Sequence, residues 1–504
     1  MSPVRFLCLL VRSLPTLLMV VPLAAQRSPF PGFESTVEKA LRDWKVPGAA
    51  IAIIKDDAVV YERGFGVRTL GTNDRVDQHT VFSIASTTKA MTAACLGMLV
   101  DEGKLSWDDP VTKWLPEFAL SEPYVSRHLT VRDLLTHRSG LPRGDMLWYG
   151  SGYDRAEILR RVRNLQPAWG FRSRYGYQNI MYMAAGEVVR AVSGMSWDAF
   201  MKERLFIPLG MMRSSTSVAA LEDMTNVATP HEEIDDTVRA VRWPNYDNIG
   251  GAGSVNSTAH DMAQWARLIL NGGLYDGKRL LQEKTVEELT APQMINRLDS
   301  VARALRPSSH FLTYGLGWGL VDYLGRKIVT HDGWLDGMRC RIMLVPEEKL
   351  GIVVLLNGPR ALLHTALAYE IVDHYLGAPK RDWSAEYLRI ANEENLRAAE
   401  SRAKREEKRV KGTAPAMPLL AYVGTYRSEL YGDVAVQLER GALVIRYGSM
   451  YVGDLAHRHY ETFQANWRDR VLGWDEVMFT HGFDGTVAGL EWSGVGSFAK
   501  RTGP

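Results

Sequence analysis

The sequence predicts an α+β protein of α/β-sandwich type. An antiparallel sheet flanked by helices carries a helical insert and is followed by a small antiparallel β-barrel or sandwich. Three observations point there. A helix and a strand pair open the chain after residue 30, and a strand hairpin and a helix close a segment near residue 376, so both ends complete one sheet. Helical and loop patterns fill about 100–240. Beyond a charged stretch at 384–418, only short strands and turns remain.

The elements follow in order. Phe33, Val37, Ala40, Leu41 and Trp44 recur at helical spacing over 30–47, and Pro47 stops the run. Residues 48–60 read as a strand, with Lys55-Asp56-Asp57 turning into a partner that ends near Phe65. A short apolar run ends at Ser86, and an apolar helix follows to about residue 100. Thr130 and Asp133 have capping-box spacing. Helices are predicted from about Asn179, over 197–205 and after Ser257. Residues 213–248 and 292–312 read as loops, 315–320 as a glycine-broken strand, and 328–333 as a strand ending in a turn. Residues 338–345 and 349–356 form a hairpin around Pro346, and 362–376 a helix packed on the sheet.

The chain has 504 residues, enough for two or three domains. A net charge of +2 gives no argument for nucleic acid or an acidic substrate. Residues 1–26 read as a signal peptide: Arg5 is the positive start, 14–21 the apolar core, and Pro22-Leu23-Ala24-Ala25-Gln26 the cleavage region. Arg12 interrupts the pattern, and an uncleaved anchor is the alternative. The expected location is exported, periplasmic or secreted. No other stretch is long and apolar enough to span a membrane. Cys95 and Cys340 do not make a disulfide framework. The expected domains are an α+β body at 27–383, a charged helical linker at 384–418 and a β-barrel-like domain at 419–504. The last is a candidate cleft cap, ligand site or oligomer contact.

Chemistry concentrates in three places. Ser86 stands at a helix start with Lys89 one turn on, on the same face. A lysine of lowered pKa in a dry site can take the serine proton, although a serine cap before a surface lysine is the commoner pattern. Tyr177 and Asn179 flank one residue and would point the same way from extended backbone. An aromatic core residue beside an Asn cap is the plain alternative. His331, Asp332 and Gly333 end a strand. His137 reads as structural, bonding backbone to fix a wall. The cluster of His231, Glu232, Glu233, Asp235 and Asp236 has no defensible metal spacing. The glycines at 250–253 lack the spacing of a phosphate or dinucleotide loop and read as a cleft wall. No cofactor or metal is expected.

Taken together, Ser86-Thr87-Thr88-Lys89, Tyr177-Gln178-Asn179 and His331-Asp332-Gly333, with 134–140 and 208–211 as landmarks, resemble the serine β-lactamase/penicillin-binding-protein superfamily. The class C β-lactamase-like branch, with its carboxylesterases and D-amino-acid peptidases, is most similar over 30–380. The resemblance implies that Ser86 attacks a carbonyl, that Lys89 and Tyr177 manage its proton, and that the Ser86 amide and one after Gly333 form the oxyanion hole. Asn179, His331, Asp332 and Gly333 would bind or support the substrate. A third motif without Lys-Thr-Gly favours esters or D-peptides over β-lactams, and Asp332 is a candidate for a substrate amine. The substrate is then a small molecule or short peptide, and no nucleic acid is involved. The alternatives are a true class C-like β-lactamase and a penicillin sensor that acylates without turnover.

Overall fold

A computed structural model describes residues 28–359 and 362–501. The expected signal peptide lies outside the described residues. Helix α1 (Phe33–Asp43) packs Phe33, Val37, Ala40 and Leu41 inward. Strands β1 (Gly48–Lys55) and β2 (Ala58–Gly66) follow. Helix α2 (Thr88–Asp101) is buried nearly all round, as its Ala-, Met- and Leu-rich sequence requires. Helices α3 (Asn179–Ser193) and α4 (Ala259–Leu270) pack beside it and on β1, respectively.

The sheet continues with β3 (Met294–Asn296), helix α5 (Ser300–Leu305), β4 (Leu312–Tyr314), β5 (Gly319–Tyr323), β6 (Arg326–Leu335), β7 (Met338–Val345) and β8 (Leu350–Leu356). Among the described residues its strand order is β2-β1-β8-β7-β6-β5-β4-β3, and every neighbouring pair runs antiparallel. Ala49 pairs with Leu356, so the first strand is interior, one in from the edge strand β2. Helix α6 (Leu363–Leu376) covers the α1 face, and α7 (Trp383–Glu407) is the expected charged helix. Side chains alternate between two cores: Val329, Ile342 and Cys340 face α2, while Ile328, Met343 and Val345 face α6.

Beyond α7, β9 (Gly424–Ser428), β10 (Gly432–Glu439), β11 (Ala442–Tyr447), β12 (Tyr451–His459), β13 (Thr462–Trp467), β14 (Trp474–His481), β15 (Val487–Trp492) and β16 (Gly496–Lys500) form a closed barrel. Of the barrel and sandwich expected, the barrel is found. Its strands alternate buried and exposed residues, and Trp467, Trp492, Phe463 and Phe479 fill the inside.

Four local expectations are corrected. Residues 315–318 are a turn, because Gly317 has φ +84° and a Cβ there would come within 2.8 Å of the Ala90 Cα. Strand β6 does not stop at Gly333 but runs through it to Leu335. A Cβ at Gly333 would sit 2.2 Å from the Ile84 carbonyl oxygen, so glycine lets the strand pack closely against the segment before Ser86. The loop at 292–312 contains β3 and α5, the latter capped by Asp299. The polar stretch at 213–248 contains a hairpin, His231–Ile234 with Thr237–Ala240.

Candidate active site

A 3-10 turn, Ala85–Thr87, delivers Ser86 to the mouth of α2. Ala85 has φ +47°, a left-handed conformation costly for an L-residue, and it precedes the nucleophile candidate directly. Lys89 follows on the first turn of α2 and is fully buried. Its Nζ lies 3.0 Å from Ser86 Oγ, 2.8 Å from Asn179 Oδ1 and 2.8 Å from the Ala252 carbonyl oxygen. It also faces the rings of Tyr177 and Tyr182, at 4.8 and 5.5 Å.

None of those three partners is a carboxylate. Burial holds the Lys89 pKa well below the usual lysine value, Arg143 pushes it further down, and Asp145 opposes. A neutral amine has two N–H donors and one lone pair. The donors suit Asn179 and Ala252, which leaves the lone pair for the Ser86 hydroxyl proton. Tyr177 donates to Ser86 Oγ from the other side at 2.8 Å. Burial raises the Tyr177 pKa, so the phenol stays protonated.

Extended backbone at Gln178 does aim Tyr177 and Asn179 together, as their spacing predicts. The cap, however, is Gln178, whose side chain accepts from the Ile180 amide. That frees Asn179 to hold Lys89. Its Nδ2 lies 3.4 Å from Asp145 Oδ1, which fixes the amide with its oxygen toward the lysine. The Trp148 indole donates to Asp145 Oδ1 at 2.9 Å, and Arg143 Nε to Asp145 Oδ2 at 2.5 Å.

His137 accepts from the Gln178 amide at 3.0 Å and stacks on Tyr177, 4.3 Å between ring centres. That is the wall-fixing geometry expected of it. His331 lies on the α2 face of β6. Its Nδ1 meets the Asp332 carbonyl at 2.8 Å and its Nε2 the Tyr314 hydroxyl at 2.9 Å. The carbonyl can only accept, so the proton sits on Nδ1. Burial lowers its pKa to about 4, and the ring is neutral at ordinary pH.

Asp332 is different. Strand alternation turns it to the opposite face, where Arg341 Nη1 donates to it at 2.7 Å. It therefore does not stand beside Ser86, and the geometry gives the amine role no support. Trp148 lines the cavity on the Ser86 side; Trp334 lines it on the α6 face, beside His364. Tyr149 and Tyr246 instead both donate to Asp336, at 2.7 and 2.8 Å. His231 is structural: it takes the Leu70 amide at 3.0 Å and meets the Asn357 carbonyl at 2.9 Å. Cys95 and Cys340 are separate buried thiols. Among the described residues no group of three or more His, Cys, Asp or Glu is placed to hold a metal, and no helix is long and apolar enough to cross a membrane.

Sequence reading missed Arg143, Asp145 and the Ala252 carbonyl. Arg143 and Asp145 sit in an ordinary Gly/Pro loop, where a charged pair carries no signal of its own. The Ala252 contact is a backbone atom, invisible to any motif of side chains. The glycines at 250–253 did mark that wall.

With this geometry in place, the comparisons with known proteins are unambiguous about class. The β-lactamase family model matches residues 33–375, and a domain of unknown function, DUF3471, matches 408–501. The chain belongs to the β-lactamase family, within the serine β-lactamase/penicillin-binding-protein superfamily, and is a serine hydrolase of that group. It is similar to an unguisins hydrolase from Aspergillus violaceofuscus, 29% identical over 436 residues, covering 81% of this chain and 76% of that one. Penicillin-binding protein 4 of Amycolatopsis lactamdurans is 31% identical over 318 residues, covering 62% of this chain and 81% of its own. The octameric penicillin-binding protein homologue from Pyrococcus abyssi shares the fold, with a TM-score of 0.62, 23% identity, and coverage of 93% and 99% of the two chains.

Proposed function

We propose that this protein is an exported serine hydrolase that cleaves ester or amide bonds of small substrates or short peptides through an acyl-enzyme. The observation that carries the reading is the buried Lys89 amine, 3.0 Å from Ser86 Oγ, with no carboxylate among its hydrogen-bond partners. Ser86 Oγ bonds to the substrate carbonyl carbon as its proton passes to Lys89 Nζ. The leaving group departs with a proton relayed through the Tyr177 hydroxyl. Water then releases the acyl group and Ser86 regains its proton. The family mechanism assigns the oxyanion to the Ser86 amide and an amide after Gly333.

Substrate preference follows from what the third motif lacks. His331 is neutral, and Asp332 is a carboxylate turned to the other face, so the third motif supplies no fixed positive charge for a β-lactam carboxylate. This supports esters and D-residue peptides over β-lactams. The test is a set of specificity constants on the purified mature protein. It compares a short-chain nitrophenyl ester, a D-alanine anilide, its L counterpart and a chromogenic cephalosporin, each against Ser86→Ala. Preference for the D-anilide marks a D-stereospecific peptidase, and preference for the ester marks an esterase. Efficient cephalosporin turnover, or a persistent adduct on intact mass, would overturn the assignment. Export rests on residues 1–26, and sequencing the N-terminus of secreted material tests it.

A further inference from the structure

The cavity that exposes Ser86, about 1030 Å³, is lined by residues from both faces of the sheet. On the far face its floor is β5 and β6, and its walls are α5, α6 and α7. The wall residues Val301, Leu305, Ile390 and Ala391 are apolar. Two arginines line this far-face part. Arg341 is buried: its Nη1 donates to Asp332 and to Thr365 Oγ1, both at 2.7 Å. Arg306 is half-buried, and its Nη1 donates to the Tyr387 hydroxyl at 3.1 Å. Both guanidinium groups face the ring of Tyr369, at 5.1 and 5.8 Å.

The charges do not balance. Asp332 serves Arg341, and His364 Nε2 also approaches that carboxylate at 3.6 Å. Arg306 forms no ion pair among the described residues. The Nε atoms of both arginines are buried without a hydrogen-bond partner. Removing a cation from water without a counter-charge is costly, and an unsatisfied buried N–H adds to that cost. Asp299 and Asp332 act on Arg306 from a distance, but neither forms an ion pair with it among the described residues; Asp299 and Glu394 line the cavity from exposed positions on α5's cap and on α7, where solvent weakens their effect.

We propose that this far-face chamber binds an amphiphilic carboxylate, its head group on Arg306 and its apolar chain along α5 and α7. One negative charge matches the one unpaired guanidinium. A phosphate dianion would crowd Asp332 with excess charge, and an amine would add a second unpaired cation. The planar fork of Arg306 suits a carboxylate geometrically.

The experiment is isothermal titration of the full mature chain with decanoate, decanol and decyltrimethylammonium. Decanoate is expected to bind, with decanol and the ammonium at least about tenfold weaker. Arg306→Gln should weaken decanoate at least about tenfold and leave Ser86-dependent ester hydrolysis unchanged, which shows that the variant is folded. Ile390→Trp, which fills the apolar wall without touching the arginines, should also weaken decanoate, and it serves if Arg306→Gln fails to fold. Equal decanoate binding by wild type and either folded variant, or equal affinity for decanol, overturns the proposal. Absence of decanoate binding to wild type overturns it as well. None of these outcomes bears on the acyl-enzyme chemistry, which is read separately from ester turnover.

Discussion

The barrel and the active-site cleft both bury polar groups among aromatic rings, but they satisfy them differently. In the barrel, Trp467 and Trp492 pack with ring centres 5.1 Å apart and planes tilted by 31°, and both indole N–H groups donate to Asp475 Oδ2, at 2.9 and 3.1 Å. The two indole donors share one charged acceptor, which rigidifies the interior. In the cleft, a lysine amine is buried against a hydroxyl, an amide oxygen and a backbone carbonyl, with no carboxylate to hold a proton on it. The barrel has the economy of a scaffold. The cleft keeps a lysine poised to lose its proton, which is what a general base requires.

Substitutions can break or sharpen that contrast. The largest effect belongs to Ser86→Ala, which should lower kcat/KM by about a thousandfold or more while the melting temperature holds. Full activity in pure variant protein would remove the nucleophile assignment. In the barrel, Trp492→Ala should cost about 3–5 kcal/mol, read by denaturant titration, because it opens a cavity and strips Asp475 of one donor. A loss below about 1 kcal/mol would mean that the barrel interior is not the packed core described.

The pH profile tests the cleft more finely. Lys89 acts when neutral, so activity should rise as pH climbs through its lowered pKa. Asp145→Asn removes the charge that holds protons on Lys89, and the acidic limb of kcat/KM should move to lower pH. Arg143→Gln removes an opposing cation and should move it to higher pH. Shifts of the reverse sign would refute the electrostatic account, whereas a merely structural loss would lower rates without moving the limb.

The smallest effect joins the two regions. The Tyr447 hydroxyl donates to the Met146 carbonyl at 2.7 Å, and the Ser449 amide to the Gly150 carbonyl at 2.9 Å, so the barrel props the loop that carries Asp145 and Trp148. Tyr447→Phe should reduce kcat/KM severalfold with stability within about 1 kcal/mol of wild type. No change in rate would show that the loop holds its shape alone.

Much of this was legible in the residues. Periodicity found α1, which buries one stripe, and continuous apolar runs found α2, α6 and the β7–β8 hairpin, which are buried on nearly every side. Ser86, Lys89, Tyr177 and Asn179 were legible because helix and strand spacing brings each pair to one face. What was hidden depends on tertiary contact. Gly317 and Gly333 look like breaks, yet both are close approaches to the segment around Ser86, and nothing local announces that. Asp332 looked like a site residue because it neighbours His331, but adjacent strand residues point to opposite faces. Residues 292–312 read as loop because a three-residue edge strand is too short to show alternation.

The pairing of Ala49 with Leu356 governs how the molecule is made. During synthesis the β1–β2 hairpin emerges with one long edge open, and the strand that belongs there is the last of the sheet to appear. Until then the nascent chain displays an apolar ribbon with unpaired amides, a surface that invites aggregation. Closing so distant a pairing also slows folding. Ser86 and Lys89 are thus among the early residues to appear and among the late ones to become competent, since β6 must pack against Ile84 before the cleft has its second wall. A chain interrupted anywhere before residue 356 would carry the nucleophile and the base yet have no enzyme around them.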